Sequence, residues 1–286
     1  MADRPKVLFT PPLLRYSEVV LTGVIFVPER LAVTVAASYG ELLQLPQVAT
    51  GRQFWLRLAA AVVIPAAFAV LALRLRAVTK GGALAGMVAA CCIFVFAGPP
   101  GFLVLATVFA LTTLATRVGY SRKQHLGTAE GRRGRRASQV LANLSIAALA
   151  SIGGISEHYS WLLACMVAAL AEAAADTVSS ECGQAWSDRV YLITSFRRVP
   201  VGTDGGISLV GTVCGVIAGI VVAWVSHALQ IVPYDSAVMA GCAGILGSFV
   251  DSLLGATFER RRWLGNDAVN FLSTAIAAAL AALFLL

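Results

Sequence analysis

GALAGMVAACCIFVFAGPPGFLVLATVFALTTLAT, residues 82–116, carries no charged side chain, and Gly98-Pro99-Pro100-Gly101 breaks it near its middle. About 20 apolar residues span a hydrocarbon core ~30 Å thick. The stretch therefore reads as two membrane helices, 82–97 and 100–116, joined by a tight turn at the glycine–proline cluster. Comparable apolar runs lie at 53–75, 138–154, 159–179, 206–228, 237–257 and 267–286. The pattern predicts an all-α, polytopic transmembrane helical bundle of about eight spans.

Composition points the same way. The chain is 58% hydrophobic and 13% charged, against roughly 45–50% and 25% in soluble domains, so it lacks the polar surface a soluble fold of this size needs. Mean hydropathy is +0.79. Residues 1–51 differ: prolines and charges such as Glu18, Glu29 and Arg30 interrupt their apolar stretches, which predicts an N-terminal interfacial or amphipathic segment ahead of a membrane domain at 52–286. The polar, proline-punctuated start leads us to expect no cleavable leader. The six cysteines have no metal-type spacing and read as packing residues.

The net charge of +7 is distributed in a telling way. With eight spans, all sixteen Lys and Arg residues after Arg57 fall in alternate loops, at 74–80, 117–136, 189–198 and 260–262, and the opposite loops carry none. By the positive-inside rule these four loops are expected on the cytoplasmic side. The basic balance thus reflects membrane orientation rather than nucleic-acid binding. Gly211, Gly215 and Gly219, and then Gly241, Gly244 and Gly247, are spaced for close helix packing in lipid.

Ionisable residues within spans are costly and mark candidate sites. Glu172, Asp176 and Glu181 occur near the end of the fifth run. Asp176 and Glu181, carboxylates near a membrane surface, suit Mg²⁺, which takes oxygen ligands, water and substrate phosphates. Asp251, late in the seventh run, is expected to join them, as is Asp267 at the start of the eighth beside Asn266 and Asn270. The segment Arg197-Arg198-Val199-Pro200-Val201-Gly202-Thr203-Asp204-Gly205-Gly206-Ile207-Ser208 couples a basic pair to a glycine turn, a natural phosphate cradle. Arg132, Arg133, Arg135 and Arg136 form the densest basic run, and arginine forks bind phosphate bidentately. His125, His158 and His227 are scattered, which supports neither a histidine metal site nor a Ser–His–Asp triad.

Five blocks in order carry a family resemblance: Gly127–Arg136 with Gln139–Asn143, Ala175–Glu181, Val199–Ser208, Asp251–Ala256 and Asn266–Asn270. Together they resemble the family that includes phytyl-phosphate kinase and transmembrane protein nineteen, over roughly residues 80–286. The resemblance implies an integral membrane kinase, a phosphotransferase that converts a phytyl or geranylgeranyl-type monophosphate to the diphosphate. It implies a nucleoside triphosphate donor, CTP, with Mg²⁺ at the cytoplasmic face, in tocopherol or isoprenoid salvage. Asp176 and Glu181 would hold the metal, with Asp251 or Asp267 completing its shell. The arginines, Asn143, Gly202, Thr203, Gly205, Gly206, Ser208, Asn266 and Asn270 would hold phosphate and nucleotide. Two positions depart from the family pattern, Val178 and Asp204, and the second adds a carboxylate. A secondary transporter also places carboxylates in spans and glycine breaks at helix starts, but near the midplane, so the depth of the acidic cluster discriminates. An inert scaffold would leave the convergence of arginine, carboxylate and glycine without a role.

Overall fold

The computed structural model describes residues 51–285 apart from 130, 132, 133 and 156. The expected interfacial segment at 1–51 lies almost wholly outside the described residues. Eight α-helices follow in order: α1 (Gly51–Arg74), α2 (Lys80–Arg117), α3 (Tyr120–Leu126), α4 (Ala137–Ala150), α5 (Trp161–Trp186), α6 (Leu209–Ala228), α7 (Tyr234–Leu254) and α8 (Asn266–Leu285). Among the described residues six segments are long and apolar enough to cross a membrane: α2, α5, α6, α8, α4 with the turn after it, and α7 extended to Glu259. The chain is a polytopic transmembrane helical bundle.

α2 is two crossings. Its 38 residues would extend ~57 Å as a straight helix at 1.5 Å per residue, yet Arg117 Nη2 donates to the carbonyl of Leu75 at 2.9 Å, so its ends meet. The reversal is at Gly98, whose backbone (φ 70°, ψ −175°) is non-helical, a combination open essentially to glycine. Pro99 and Pro100 follow in the first turn of the returning half, where a missing N–H costs nothing. With α1 as a further, shorter apolar helix, the bundle matches the expected count of about eight.

α5 is the hub, packed against α2, α4, α6, α7 and α8. Every residue from Ala164 to Ala175 is buried, seven of the twelve alanine and only Glu172 polar, and a helix apolar nearly all round belongs in the interior. The two glycine rows are what let it sit there. A Cβ at Gly215 would stand 2.7 Å from the carbonyl oxygen of Ala175, and one at Gly244 2.8 Å from that of Ala168. Small residues thus bring α6 and α7 into backbone contact with α5, as the glycine spacing predicts.

The basic loops share one end of the bundle. Arg135 exchanges backbone hydrogen bonds with Ala77 and Thr79 at 3.0 Å each, Arg122 pairs with Asp188 at 2.7 Å, and Gly205 lies against Ala256. Two features there were not expected from sequence. The segment after α5 forms a small antiparallel sheet, β1 (Val190–Leu192), β2 (Arg198–Val199) and β3 (Gly206–Ile207), in the order β2-β1-β3. Pro200–Gly205 is the loop from β2 to β3. The second is the short α3, pinned by Lys123. Its fully buried ammonium donates to the last carbonyls of α2, Ala115 at 3.2 Å and Thr116 at 2.7 Å, and pairs with Glu181 of α5 at 2.5 Å.

Removing one partner of a buried ion pair leaves the other charge uncompensated, at a cost of about 3–5 kcal/mol. Lys123→Met is therefore expected to lower the melting temperature of detergent-purified protein sharply, and Lys123→Met/Glu181→Leu to recover most of the loss. A single variant that melts with wild type would show that the pair does not anchor α3.

Candidate functional site

At the basic end, α5, α7, the sheet and the start of α8 enclose a polar cleft of about 230 Å³. Its floor is Asp176 of α5 and Asp251 of α7, whose carboxyls are within hydrogen-bonding reach of each other. Its roof is the β2–β3 loop, with Gly202, Thr203, Gly205 and Gly206. Ser208 and Asn266 close two sides. These eight predicted site residues are brought together from four separate sequence blocks.

The loop's shape is fixed by two positive-φ glycines, Gly202 (φ 86°) and Gly205 (φ 71°). A side chain at Gly205 would run into the backbone of Ala256, and one at Gly202 into Thr128. The turn consumes part of the expected amide cradle: Thr203 N–H donates to Pro200 and Gly206 N–H to Thr203. Among the described residues no backbone carbonyl takes the N–H of Gly202, Asp204 or Gly205, so these remain to receive an anion. Ser208 caps α6 by accepting from Gly211 N–H at 3.1 Å, which orients the loop's exit.

Behind the floor runs a hydrogen-bonded network. Ser273 of α8 donates to Asp251 Oδ2 at 3.0 Å. With its amide turned so that the nitrogen faces Asp251, the orientation its neighbours favour, Asn270 donates to the same oxygen at 3.3 Å and accepts from Asn143 of α4 at 3.1 Å. Asn143 and Asn270 therefore position Asp251 rather than line the cleft. Deeper along α5, Glu172 is 1% exposed and its Oε2 has no partner among the described residues.

Other predicted residues are placed elsewhere. Glu181 is not part of the cleft; five residues beyond Asp176 it faces away, toward Lys123. The cause is helix geometry, since α5 continues unbroken to Trp186 and five residues turn ~140° at 3.6 residues per turn. Asp267 sits in the first turn of α8, outside the cleft lining, where a carboxylate favours the helix N-terminus. Arg197 and Arg198 are exposed on the sheet, and Arg198 donates to the carbonyl of Asp188. Arg136 is exposed just ahead of α4. Arg132 and Arg133 lie outside the described residues. Arg135 alone of the described cluster adjoins a cavity, an apolar one on the neighbouring face of α5.

The cleft also contains residues that sequence reasoning passed over. Glu259 lines it from the π-turn Gly255–Glu259, beside Asp204. The signal was its spacing of eight from Asp251, about two helical turns, which the following arginine triplet obscures. Gln184 donates to Ser180 at 2.9 Å, while its Oε1 has no partner among the described residues. Such an orphan acceptor suits a bound donor.

The cleft lining thus holds Asp176, Asp204, Asp251 and Glu259 and no Lys or Arg among the described residues. A phosphate ligand would enter it only with cations. The donors are hard oxygens, with no thiol or imidazole in the lining, which fits Mg²⁺ or Ca²⁺ rather than softer metals. No three His, Cys, Asp or Glu among the described residues could hold an ion by themselves. Mg²⁺ does not need such a cage, since one or two carboxylates with substrate phosphates and water suffice.

The chain is 34% identical over 197 residues to "Protein VTE6, chloroplastic" of Arabidopsis thaliana, which covers 65% of this chain and 59% of that protein. This chain therefore matches less than two thirds of that relative's length. An uncharacterized membrane protein of Synechocystis is 31% identical over 63% of the chain and 72% of its own. One from Methanocaldococcus jannaschii is 32% identical over 77% of the chain and 91% of its own. No solved structure matches. The family model for "Integral membrane protein DUF92" matches residues 63–278, which hold most of the bundle and the whole cleft, and the chain belongs to that family.

Proposed function

We propose that the protein is a prenyl-phosphate kinase that uses a nucleoside triphosphate, CTP, to convert a phytyl or geranylgeranyl-type monophosphate to the diphosphate at the cytoplasmic membrane face. The observation that carries this reading is the Asp176–Asp251 pair on the floor of a water-accessible cleft beneath a glycine loop. The sequence resemblance to the phytyl-phosphate kinase family supports the substrate class.

Phosphoryl transfer rests on positioning and charge stabilisation. An oxygen of the lipid monophosphate attacks the γ-phosphorus of the nucleotide. The bond from that phosphorus to the β–γ bridging oxygen breaks, leaving a nucleoside diphosphate and a prenyl diphosphate. The second ionisation of a phosphate monoester lies near ~6, so the attacking oxygen is already anionic and no side chain has to take its proton. Asp176 and Asp251 would hold Mg²⁺, whose charge offsets that of the two polyanions. The amides of Gly202, Asp204 and Gly205 bind the nucleotide's phosphates, and Gln184 receives a ribose or base donor. Ser273 and Asn270 fix the rotamer of Asp251.

One observation favours transport instead. Glu172 lies eleven residues after Trp161 and fourteen before Trp186 in α5, near mid-helix, where transporters place their ion sites. Asp176 itself is ten residues inside the helix end rather than at it, because α5 is longer than the apolar run suggests.

The test is diphosphate formation by purified protein given Mg²⁺, geranylgeranyl or phytyl monophosphate, and CTP, ATP, GTP or UTP in turn. Turnover is expected, fastest with CTP and abolished by chelation. Asp176→Asn and Asp251→Asn should each lose about 10²–10³ in kcat, the scale of deleting one group that stabilises transition-state charge. Asp267→Asn should stay within about twofold of wild type, as a substitution outside the site does. Folded protein that turns over no pairing, yet moves solute in liposomes in a Glu172-dependent way, would replace the kinase with a transporter.

A further inference from the structure

On the face of α5 next to the cleft, α1, both halves of α2, α4 and α5 enclose an apolar groove of about 90 Å³. Phe68, Met87, Leu105, Val140 and Leu144 form its walls. Its polar end carries Arg135, Asn143 and Thr177. The groove and the cleft border consecutive residues of α5, since Thr177 lines one and Asp176 the other. Arg135 is electrostatically coupled to Asp176, and its backbone is held by Ala77 and Thr79. Asn143 joins the groove to the cleft floor through Asn270 and Asp251.

We propose that this groove seats the phosphate-proximal isoprene unit of the lipid substrate, with its phosphate at Arg135, and that the rest of the tail lies in the bilayer. The inference rests on the kinase reading for the identity of the occupant. Charge complementarity selects it: an apolar slot ending in an arginine beside the carboxylate pair fits a hydrocarbon that carries an anion at one end. Size limits what enters. Pockets that enclose drug-sized molecules run ~300–1,000 Å³, so 90 Å³ holds a short branched segment and not a twenty-carbon chain. Beyond the groove, α1 exposes Val62, Val63, Val70 and Leu71, an apolar surface to which lipid tails and a prenyl tail are equivalent. The enzyme therefore reads the first isoprene unit, which phytyl and geranylgeranyl share, and is indifferent to tail length.

Two experiments test this. The first measures KM in mixed micelles, as mole fraction, for geranyl, farnesyl, geranylgeranyl and phytyl monophosphates and for unbranched hexadecyl monophosphate. The prenyl series should agree within about threefold. The unbranched lipid should lose at least about tenfold in kcat/KM, the worth of a misplaced methyl-sized group in an enclosed pocket. A Cβ at Gly86 would sit 3.6 Å from Val140 Cγ1, so Gly86→Leu fills the groove and should raise the prenyl KM at least about tenfold without moving that of CTP. Met87→Ala, which opens the groove instead, should raise it severalfold. A KM that falls by a constant factor with each added isoprene unit, or one that neither variant changes, would overturn the inference.

The second experiment needs no turnover. A diazirine on the first isoprene unit of a prenyl monophosphate should label peptides of α1, α2 and α4, and one at the far end should label lipid. If no nucleotide supports turnover but the proximal probe still marks the groove, the kinase reading falls and the groove stands. Turnover with proximal labelling elsewhere removes the groove and keeps the kinase. Neither turnover nor labelling removes both.

Discussion

Backbone contact between α5 and its neighbours is the constraint on which the remaining structure depends. In lipid there is no hydrophobic gain from bringing helices together, so association rests on close packing and polar contacts. α5 offers alanine and receives glycine: Gly211 and Gly215 of α6 lie against the carbonyls of Ser179 and Ala175, and Gly247 of α7 against the side chain of Glu172. At that separation α7 carries Asp251 to Asp176 without a long side chain having to reach. A larger residue at Gly244 or Gly215 would separate the helices and, with them, the two carboxylates.

The electrostatics of the cleft reverse the simplest expectation for a site that handles polyanions. Rather than an arginine clamp, its described lining presents four carboxylates, and the described arginines expected to form the clamp are at the sheet, ahead of α4 or at the groove on the neighbouring face of α5. A site of this kind does not hold phosphate by itself. On the proposed reading it would hold cation and phosphate together, so that affinity for either depended on the other, and the arginines of the basic loops would be left to orient the protein against anionic lipid.

The spans apart from the end of α5, the Gly98 reversal and the glycine packing rows were legible because each follows from local chemistry: unbroken apolar length, proline beside glycine, and small residues at helical spacing. The cleft was legible as far as the spacing of Asp176, Asp251 and the glycine loop allowed. Glu181 was not, because its reading depended on whether α5 ends near Thr177 or continues, and only packing against Lys123 decides that. Lys123 itself sits in a basic loop that gives no sign of burial. Glu259 required knowing that α7 is prolonged by a π-turn, and the small sheet required partners seven to sixteen residues apart whose pairing is set by the helices on either side. Tertiary contacts, not propensity, made each of those choices.

On the proposed reading, a kinase acting on a lipid phosphate would have to join one substrate that arrives from water with another tethered in the bilayer, and a single helix bordering a cavity on each of two adjacent faces would be a direct answer. α5 crosses the bundle with its Asp176 face open to the aqueous end and its Thr177 face toward the apolar groove. From Gln184 to Asp176 the cleft descends eight residues, ~12 Å at 1.5 Å per residue, which brings the reacting centre below the level of the loops. The lipid phosphate then needs to rise only slightly out of the headgroup plane, and the tail can stay among the hydrocarbon chains throughout. Placing the carboxylates higher, at the helix end, would force the tail out of lipid. Placing them deeper, at Glu172, would force the nucleotide into it. On that reading the depth of Asp176 would be the compromise between those two desolvation costs, with the Asn143–Asn270–Asp251 bonds linking the groove to the cleft floor.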